Sequence, residues 1–236
     1  MCGRYATTRS SAELGTLFEA LDETDGSLVA DYNVAPTDPV PVIRMSTRRS
    51  ARVLCAARWG LVPSWASDPR GGARMINARA ETVATTPAYA KPFASRRCLV
   101  PADGWYEWAR RPGGKQAYYL TVDGGPLAFG GLWSAWGPEP LITCSIVTVA
   151  ARGDLALVHA RMPLVLPPSR WAAWLTGPAS DGLLAPAPEE YLAGLEIRPV
   201  GPAVGDVRND GPSLTSPVPA APLGAPPDGP VELTLF

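Results

Sequence analysis

The residue with the most distinctive chemistry is the second one, Cys2, which follows Met1 in the opening segment MCGRY. An initiator methionine is removed when a small side chain such as cysteine follows it, so we expect the mature chain to begin with Cys2. An N-terminal cysteine can attack an aldehyde first with its amine and then with its sulfur, closing a thiazolidine ring. Part of the α-amine is free at neutral pH, and its ammonium form lowers the pKa of the thiol. The alternative is that Cys2 only ends a strand.

A second candidate for chemistry is Glu107, in the segment DGWYEW. The period-2 alternation of a strand places Trp105 and Glu107 on the same face. A carboxyl group packed against an indole has a raised pKa and can act as both acid and base near neutral pH. The alternative is an exposed strand residue.

Length and composition limit the kind of fold that can hold Cys2 and Glu107 in position. The 236 residues, 46% of them hydrophobic, suffice for one domain with a short appended segment. We expect a cytoplasmic protein, because we find neither a signal peptide nor an apolar run long enough to span a bilayer. Four cysteines without a C-x-x-C pair and a single histidine argue against a zinc ribbon, a disulfide framework or a His-rich metal site, so no metal or cofactor is predicted. Cys55, Cys98 and Cys144 resemble small buried hydrophobic residues.

Charge is unevenly distributed along the chain. Residues 44–111 hold twelve arginines and one lysine against four acidic residues, a net charge of +9 in a chain of net charge -1. This asymmetry favours an anionic partner, with nucleic acid as the leading candidate, and arginine suits both phosphate contacts and base stacking. The alternative is a solvated surface with ordinary ion pairs.

Hydrophobic patterning predicts more strands than helices. An amphipathic helix is predicted over Ser10–Leu21. The other predicted helices are Glu81–Ala90, Gly153–His159, Pro168–Leu175 and Pro188–Leu195. The predicted strands are Val40–Met45, Ala51–Trp59, Arg97–Val100, Ala117–Val122, Leu127–Trp133 and Leu141–Ala150.

The C-terminal part has a different composition. Seven of the nineteen residues from Pro212 to Pro230 are proline, and no periodic apolar face is present. We therefore predict a domain over residues 1–210, a disordered linker over 211–230 and a short apolar peptide over 231–236.

Several separated segments resemble one family in the expected order: MCGRY, YNVAPT, WGLVPSWA, INARAET, RCLVPADGWYEW, HARMPLVL and VGDVRND. Together they resemble the SRAP family, the abasic-site processing proteins that crosslink themselves to abasic sites in single-stranded DNA. The resemblance extends from Met1 to about Asp210. It implies an α+β fold, with a twisted antiparallel sheet or open barrel flanked by short helices. It also implies abasic single-stranded DNA as the partner, with single-strand/double-strand junctions as a further candidate.

The resemblance also assigns residue roles. It implies a thiazolidine formed by Cys2, acid–base chemistry by Glu107 and proton shuttling by His159. Asn77 is implied to position the sugar. The implied DNA contacts are Arg4, Asn33, Pro36, Trp59, Trp65, Arg79, Trp105 and Arg161.

Structural alternatives remain for these residues. His159 could end a helix, Asn77, Asn33 and Pro36 could be turn residues, and Arg79 could be a surface cation. At least one of the three tryptophans is expected in the core. WGLVPSWA has one tryptophan near its end where some family members have two, which weakens the case for stacking by Trp65.

The last residues, Glu232 to Phe236, resemble the pentapeptide with which bacterial replication and repair proteins bind the sliding clamp. The resemblance assigns the clamp contacts to Leu233, Leu235 and Phe236, and Glu232 replaces the usual glutamine. The alternative is a frayed tail or an edge strand.

Two other functional hypotheses stay open. Class II glutamine amidotransferases also mature to a Cys-Gly start, which makes an N-terminal-nucleophile hydrolase the main alternative. A non-catalytic DNA-binding module is the third. The SRAP resemblance itself implies lyase-type crosslinking, with peptidase-type processing of the N-terminus, in a nucleoid-associated protein.

Overall fold

The structure is a computed structural model that describes residues 2–111, 114–122 and 125–219. The strands, numbered along the chain, are β1 (Tyr5–Thr7), β2 (Leu21–Asp22), β3 (Asp31–Val34), β4 (Pro39–Ser46), β5 (Ala51–Trp59), β6 (Asn77–Arg79), β7 (Arg97–Ala102), β8 (Gly104–Arg111), β9 (Gly114–Val122), β10 (Leu127–Trp136), β11 (Leu141–Ala150), β12 (Arg161–Pro163) and β13 (Leu195–Val200). The α-helices are α1 (Ser11–Phe18), α2 (Pro87–Ser95), α3 (Pro168–Thr176) and α4 (Glu189–Ala193). Short 3₁₀ helices cover Pro69–Arg74, Gly153–Leu157, Asp181–Leu184, Pro202–Gly205 and Pro212–Thr215.

The strands form two sheets. The smaller sheet is antiparallel, in the order β13-β9-β8-β1-β3. The larger sheet has the order β12-β11-β10-β7-β4-β5-β2, and β6 joins it by pairing in parallel with β11. The predicted α+β class is confirmed, and the strands form two sheets that do not close into a barrel. Parallel pairs of β11 with β5 and β6, and of β2 with β5, add to the antiparallel pattern.

A single large core packs between the sheets, and it contains the inward face of β8. Trp105 and Ala109 belong to this core, whereas Tyr106 packs with Tyr119 in a smaller cluster on the other side of the sheet. This alternation is the one expected of a strand with both faces covered. Cys55, Cys98 and Cys144 are buried free thiols, as predicted.

The first two predicted helices differ most from the structure in their bounds, and the third, predicted over Gly153–His159, is a 3₁₀ helix over Gly153–Leu157. The first ends at Phe18 and not at Leu21, because Glu19 adopts a left-handed conformation (φ 51°) that stops the helix. The second begins at Pro87 and continues to Ser95, whereas it was predicted over Glu81–Ala90. Proline at the first helical turn is favourable because its missing N–H is not needed there.

The folded part extends past the predicted boundary at residue 210. Leu214 is buried, Pro217 forms a β-bridge with Val200, and the Val218 N–H donates to the Pro199 carbonyl (2.9 Å). Residues 212–218 therefore pack on the domain, and the predicted linker cannot begin at 211. The remainder of the linker, from 220, and the peptide 231–236 lie outside the described residues.

Candidate functional site

Cys2 lies where the two sheets meet. β1 pairs with β8 in the register Tyr5 to Trp105, and the Tyr106 N–H donates to the Arg4 carbonyl (2.9 Å), which carries the start of the chain along β8. From the larger sheet, the Asn77 side-chain amide donates to the Cys2 carbonyl (2.8 Å). Cys2 is fully buried. Its position is thus fixed by a strand of one sheet and a side chain of the other.

Glu107 is the acidic group beside Cys2. It lies on the same face of β8 as Trp105, and it is only 3% exposed. Burial disfavours the charged carboxylate and raises the pKa of Glu107 to about 7. A carboxyl group with this pKa exchanges a proton readily at neutral pH, as the strand alternation had indicated.

The Cys2 thiol has a pKa well above its ordinary value. Burial is the main cause, and the negative charge of Glu107 adds to it. The direction is opposite to the one expected from a neighbouring ammonium alone, because desolvation outweighs that attraction. The thiol is therefore protonated at neutral pH and needs a base to become a nucleophile.

Asn77 and Arg79 lie at the two ends of β6, opposite Ile146 and Thr148 of β11. The Tyr89 hydroxyl of α2 donates to the Asn77 carbonyl (3.0 Å), which fixes this strand from its other side. Arg79 is exposed, and no hydrogen bond from its guanidinium is found within the described ranges. The strand therefore holds Asn77 at Cys2 and presents Arg79 to solvent.

His159 and Arg161 lie on the other side of β11, where β12 begins. The Nδ1 atom of His159 lies 2.9 Å from the Arg161 backbone N–H, which donates to it in one tautomer of the neutral ring, and 3.0 Å from the Arg161 carbonyl, to which it donates in the other. Burial lowers the pKa of His159, which favours this neutral form at pH 7. His159 follows the 3₁₀ helix Gly153–Leu157, and its backbone N–H donates to the Leu155 carbonyl (3.1 Å), so it lies at a helix end as the structural alternative expects.

The Arg161 guanidinium is held by two groups. It pairs bidentately with Glu81, with distances of 2.5 and 3.0 Å, and it donates to the backbone carbonyl of Thr148 (2.5 Å). The Arg161 side chain is only 15% exposed, whereas Glu81 is 55% exposed. Sequence reasoning included Glu81 in the INARAET segment but assigned it no role, because its partner lies 80 residues away.

Arg4 and Asn33 form a link to the C-terminal segment. Arg4 donates to the Asn33 side-chain oxygen (2.8 Å) and to the Val204 carbonyl (2.9 Å). Asn33 in turn donates to the carbonyls of Asp206 and Asn209. Asn33 is buried in this network, and Pro36 is half-buried in the loop that follows β3. These contacts give both Arg4 and Asn33 a role in holding the N-terminal strand.

The three predicted stacking tryptophans differ in exposure. Trp59 and Trp105 are fully buried, and Trp59 donates its indole N–H to the Ile76 carbonyl (3.0 Å). Tyr5 packs edge-on against Trp59, and Phe129 packs edge-on against Trp105. Neither indole presents a face to a base in this structure, whereas Trp65 is 70% exposed.

The second residue of the chain, Cys2, therefore lies beside a buried carboxyl group on β8, the strand that pairs with β1. Residues 1–207 match the family described as SOS response associated peptidase (SRAP), and the chain belongs to this family. The resemblance found in the sequence motifs is therefore confirmed. None of the described helices has the length and apolar character needed to cross a membrane.

Named relatives cover almost the whole chain. The abasic site processing protein YoqW of Bacillus subtilis is 34% identical over 226 residues, which are 91% of this chain and 98% of the relative. The abasic site processing protein YedK of Escherichia coli is 32% identical over 92% of this chain and 100% of its own length. The abasic site processing protein HMCES of Gallus gallus is 30% identical over 92% of this chain and 78% of its own.

Solved structures share the fold. An X-ray structure of a Bacteroides thetaiotaomicron protein superposes with a TM-score of 0.80 at 21% identity, covering 92% of this chain and all of that one. A Bordetella bronchiseptica protein gives a TM-score of 0.71 at 25% identity over 85% of this chain and all of its own.

Proposed function

We propose that this protein binds abasic sites in single-stranded DNA, including single-strand/double-strand junctions, and forms a covalent thiazolidine adduct through Cys2 after Met1 is removed. The named relatives support the abasic-site partner. The observation that carries the chemistry is the buried Glu107, whose pKa is about 7, beside a Cys2 thiol that is protonated at neutral pH. We assign the protein to the cytoplasm, in association with the nucleoid.

The reaction balances with the loss of one water. The free α-amine of Cys2 attacks the aldehyde carbon of the ring-opened sugar, and one amine proton moves to the oxygen to give a carbinolamine. Protonated Glu107 then donates a proton to the departing hydroxyl, which leaves as water, and the nitrogen keeps its remaining hydrogen as a protonated imine. The resulting carboxylate takes the proton of the thiol, and sulfur adds to the protonated imine carbon, which leaves a neutral ring nitrogen and a protonated Glu107. Glu107 therefore acts first as acid and then as base, which requires a pKa near the working pH.

The other side chains support this chemistry by position. Asn77 fixes the Cys2 carbonyl, so the amine and thiol have a defined orientation. His159, whose pKa is lowered by burial, is assigned to proton shuttling. Arg4, Arg79 and Arg161 supply positive charge for phosphates, and the exposed Trp65 offers a stacking face.

The proposal is tested by incubating the mature protein with abasic single-stranded DNA and, separately, with glutamine. Crosslinking predicts a denaturant-stable adduct with the abasic strand and no ammonia. Ammonia release from glutamine without an adduct would instead assign an N-terminal-nucleophile hydrolase. Binding of DNA with neither an adduct nor ammonia would instead assign a non-catalytic DNA-binding module.

Arg79→Ala is expected to reduce the salt dependence of single-stranded DNA binding. A single-strand contact contributes a slope of roughly -0.7 in log affinity against log salt, so the variant should lose about that amount. Lys115→Ala is the matched control, since it removes one exposed positive charge from the β8–β9 hairpin. An unchanged slope for Arg79→Ala, measured by fluorescence anisotropy, would remove Arg79 from the phosphate-binding set.

We also propose that residues 231–236 recruit the protein to the sliding clamp. A proline-rich tether ending in Leu-x-Leu-Phe would deliver the domain to replicating single-stranded DNA at modest entropic cost. A peptide of Pro226 to Phe236 is expected to bind purified clamp at about micromolar affinity, of order -8 kcal/mol or weaker. Replacing Leu235 and Phe236 by alanine should abolish binding. Absence of binding by the unmodified peptide at millimolar concentration would refute this recruitment while leaving the crosslinking proposal intact.

A further inference from the structure

Glu81 has a position that the crosslinking chemistry does not explain. It follows β6 in the chain, and both oxygens of its carboxylate accept hydrogen bonds from the Arg161 guanidinium. This bidentate contact lowers the pKa of Glu81, so the group is fully ionised at neutral pH. Arg161 is one of the arginines assigned to phosphate binding, yet its charge is already neutralised in the DNA-free protein.

Arg161 also has contacts that do not involve Glu81. The same guanidinium donates to the Thr148 backbone carbonyl (2.5 Å) and to the Thr148 hydroxyl (3.2 Å), and the side chain is 15% exposed. These contacts with β11 would remain if the Glu81 carboxylate moved away. What Glu81 adds is a negative charge with the two-oxygen geometry that a phosphate would present to the same fork.

The surroundings of Glu81 would allow a phosphate to displace its carboxylate from Arg161. The Glu81 side chain is 55% exposed, so water and salt screen its attraction to the Arg161 guanidinium, whose side chain is 15% exposed. Arg79 also lowers the pKa of Glu81, although less than Arg161 does, so a second assigned phosphate contact lies within electrostatic reach. A phosphate approaching Arg79 and Arg161 therefore meets the Glu81 carboxylate at the place where its own charge would bind.

We propose that Glu81 is an internal phosphate mimic that occupies Arg161 in the free protein and is displaced by a backbone phosphate of the bound strand. This inference rests on the proposed function, because it takes Arg161 as a phosphate ligand. Because Glu81 must leave Arg161 before a phosphate binds, every binding event loses the free energy of the Glu81–Arg161 ion pair. Weak, non-productive contacts with DNA are thereby disfavoured relative to those that engage the whole site.

Glu81→Gln is expected to bind undamaged single-stranded DNA about two- to fivefold more tightly than the unmodified protein, the factor that corresponds to losing one half-exposed ion pair. The amide keeps the size of the side chain but cannot compete as an anion. Glu196→Gln is the matched control. Glu196 is 45% exposed and pairs with Arg198 on β13, at the edge of the smaller sheet, so the control makes the same change in net charge.

A double-mutant cycle with Arg161→Gln tests whether the effect passes through Arg161. Glu81→Gln should have no effect on affinity in the Arg161→Gln background. Glu196→Gln should not change affinity in the unmodified protein or in the Arg161→Gln variant. Weaker or unchanged binding by Glu81→Gln, or equal tightening by Glu196→Gln, would overturn the proposal. Failure of the unmodified protein to bind single-stranded DNA or to crosslink an abasic strand would instead refute the proposed function.

Discussion

Cys2→Ser is expected to abolish the heat- and denaturant-stable adduct with abasic single-stranded DNA. An N-terminal serine can still form an imine, but its oxygen closes a far weaker oxazolidine ring than the sulfur closes as a thiazolidine. Serine is close to cysteine in size and can fill the same fully buried position. The fold and the noncovalent affinity for DNA should therefore persist. Denaturing gel electrophoresis of the reaction products measures the loss.

The control for this experiment replaces another thiol. Cys55→Ser changes a buried cysteine of β5, and it should leave the adduct yield at the level of the unmodified protein. Normal adduct yield from Cys2→Ser would refute the thiazolidine mechanism. Loss of the adduct in both variants would show that replacing a buried thiol damages the protein, and the loss in Cys2→Ser would then not support the thiazolidine mechanism.

Glu107→Gln is expected to slow both formation and reversal of the crosslink by about 100-fold or more, the usual contribution of a positioned acid–base group. Both directions pass through the same proton transfers, so a single substitution must affect both. Glutamine has nearly the same shape, and binding of undamaged single-stranded DNA reports whether the site is intact. Rates equal to those of the unmodified protein would show that Glu107 is not the acid–base group.

The pH dependence of the rate gives a second test of Glu107. The reactive form needs a neutral amine, which is lost below about pH 7.7 to 8.0. It also needs the protonated carboxyl, whose pKa is about 7 and which is lost above that pH. The crosslinking rate of the unmodified protein should therefore pass through a maximum between about pH 7 and 8. Glu107→Gln should lose the decline at higher pH, since an amide does not ionise there.

The sequence predicts the longer strands of the larger sheet and the face of β8, because both depend on local alternation, whereas the short strands β3, β6 and β12 and the strand β13 were not predicted. β5 and β11 have the predicted bounds, and Glu107 lies on the Trp105 face as expected. α1 was predicted too long because its apolar spacing continues past Glu19, while the left-handed turn there is not encoded in that spacing.

Contacts between distant segments could not be predicted from the sequence. Arg161 and Glu81 are separated by 80 positions, and Asn33 and Asp206 by 173, so neither pair produces a local pattern. The sequence shows that a residue is a tryptophan but not whether its side chain stacks on a base or fills the core. For this reason Trp59 and Trp65 could not be distinguished until their exposure was known.

The central claim is tested most directly by mass spectrometry of the protein crosslinked to an abasic oligonucleotide, followed by peptide mapping. The expected product is the chain without Met1 joined to the oligonucleotide with loss of one water, and the modified peptide should begin with Cys2. An adduct on any other residue, or an adduct formed by a chain that retains Met1, would contradict the account.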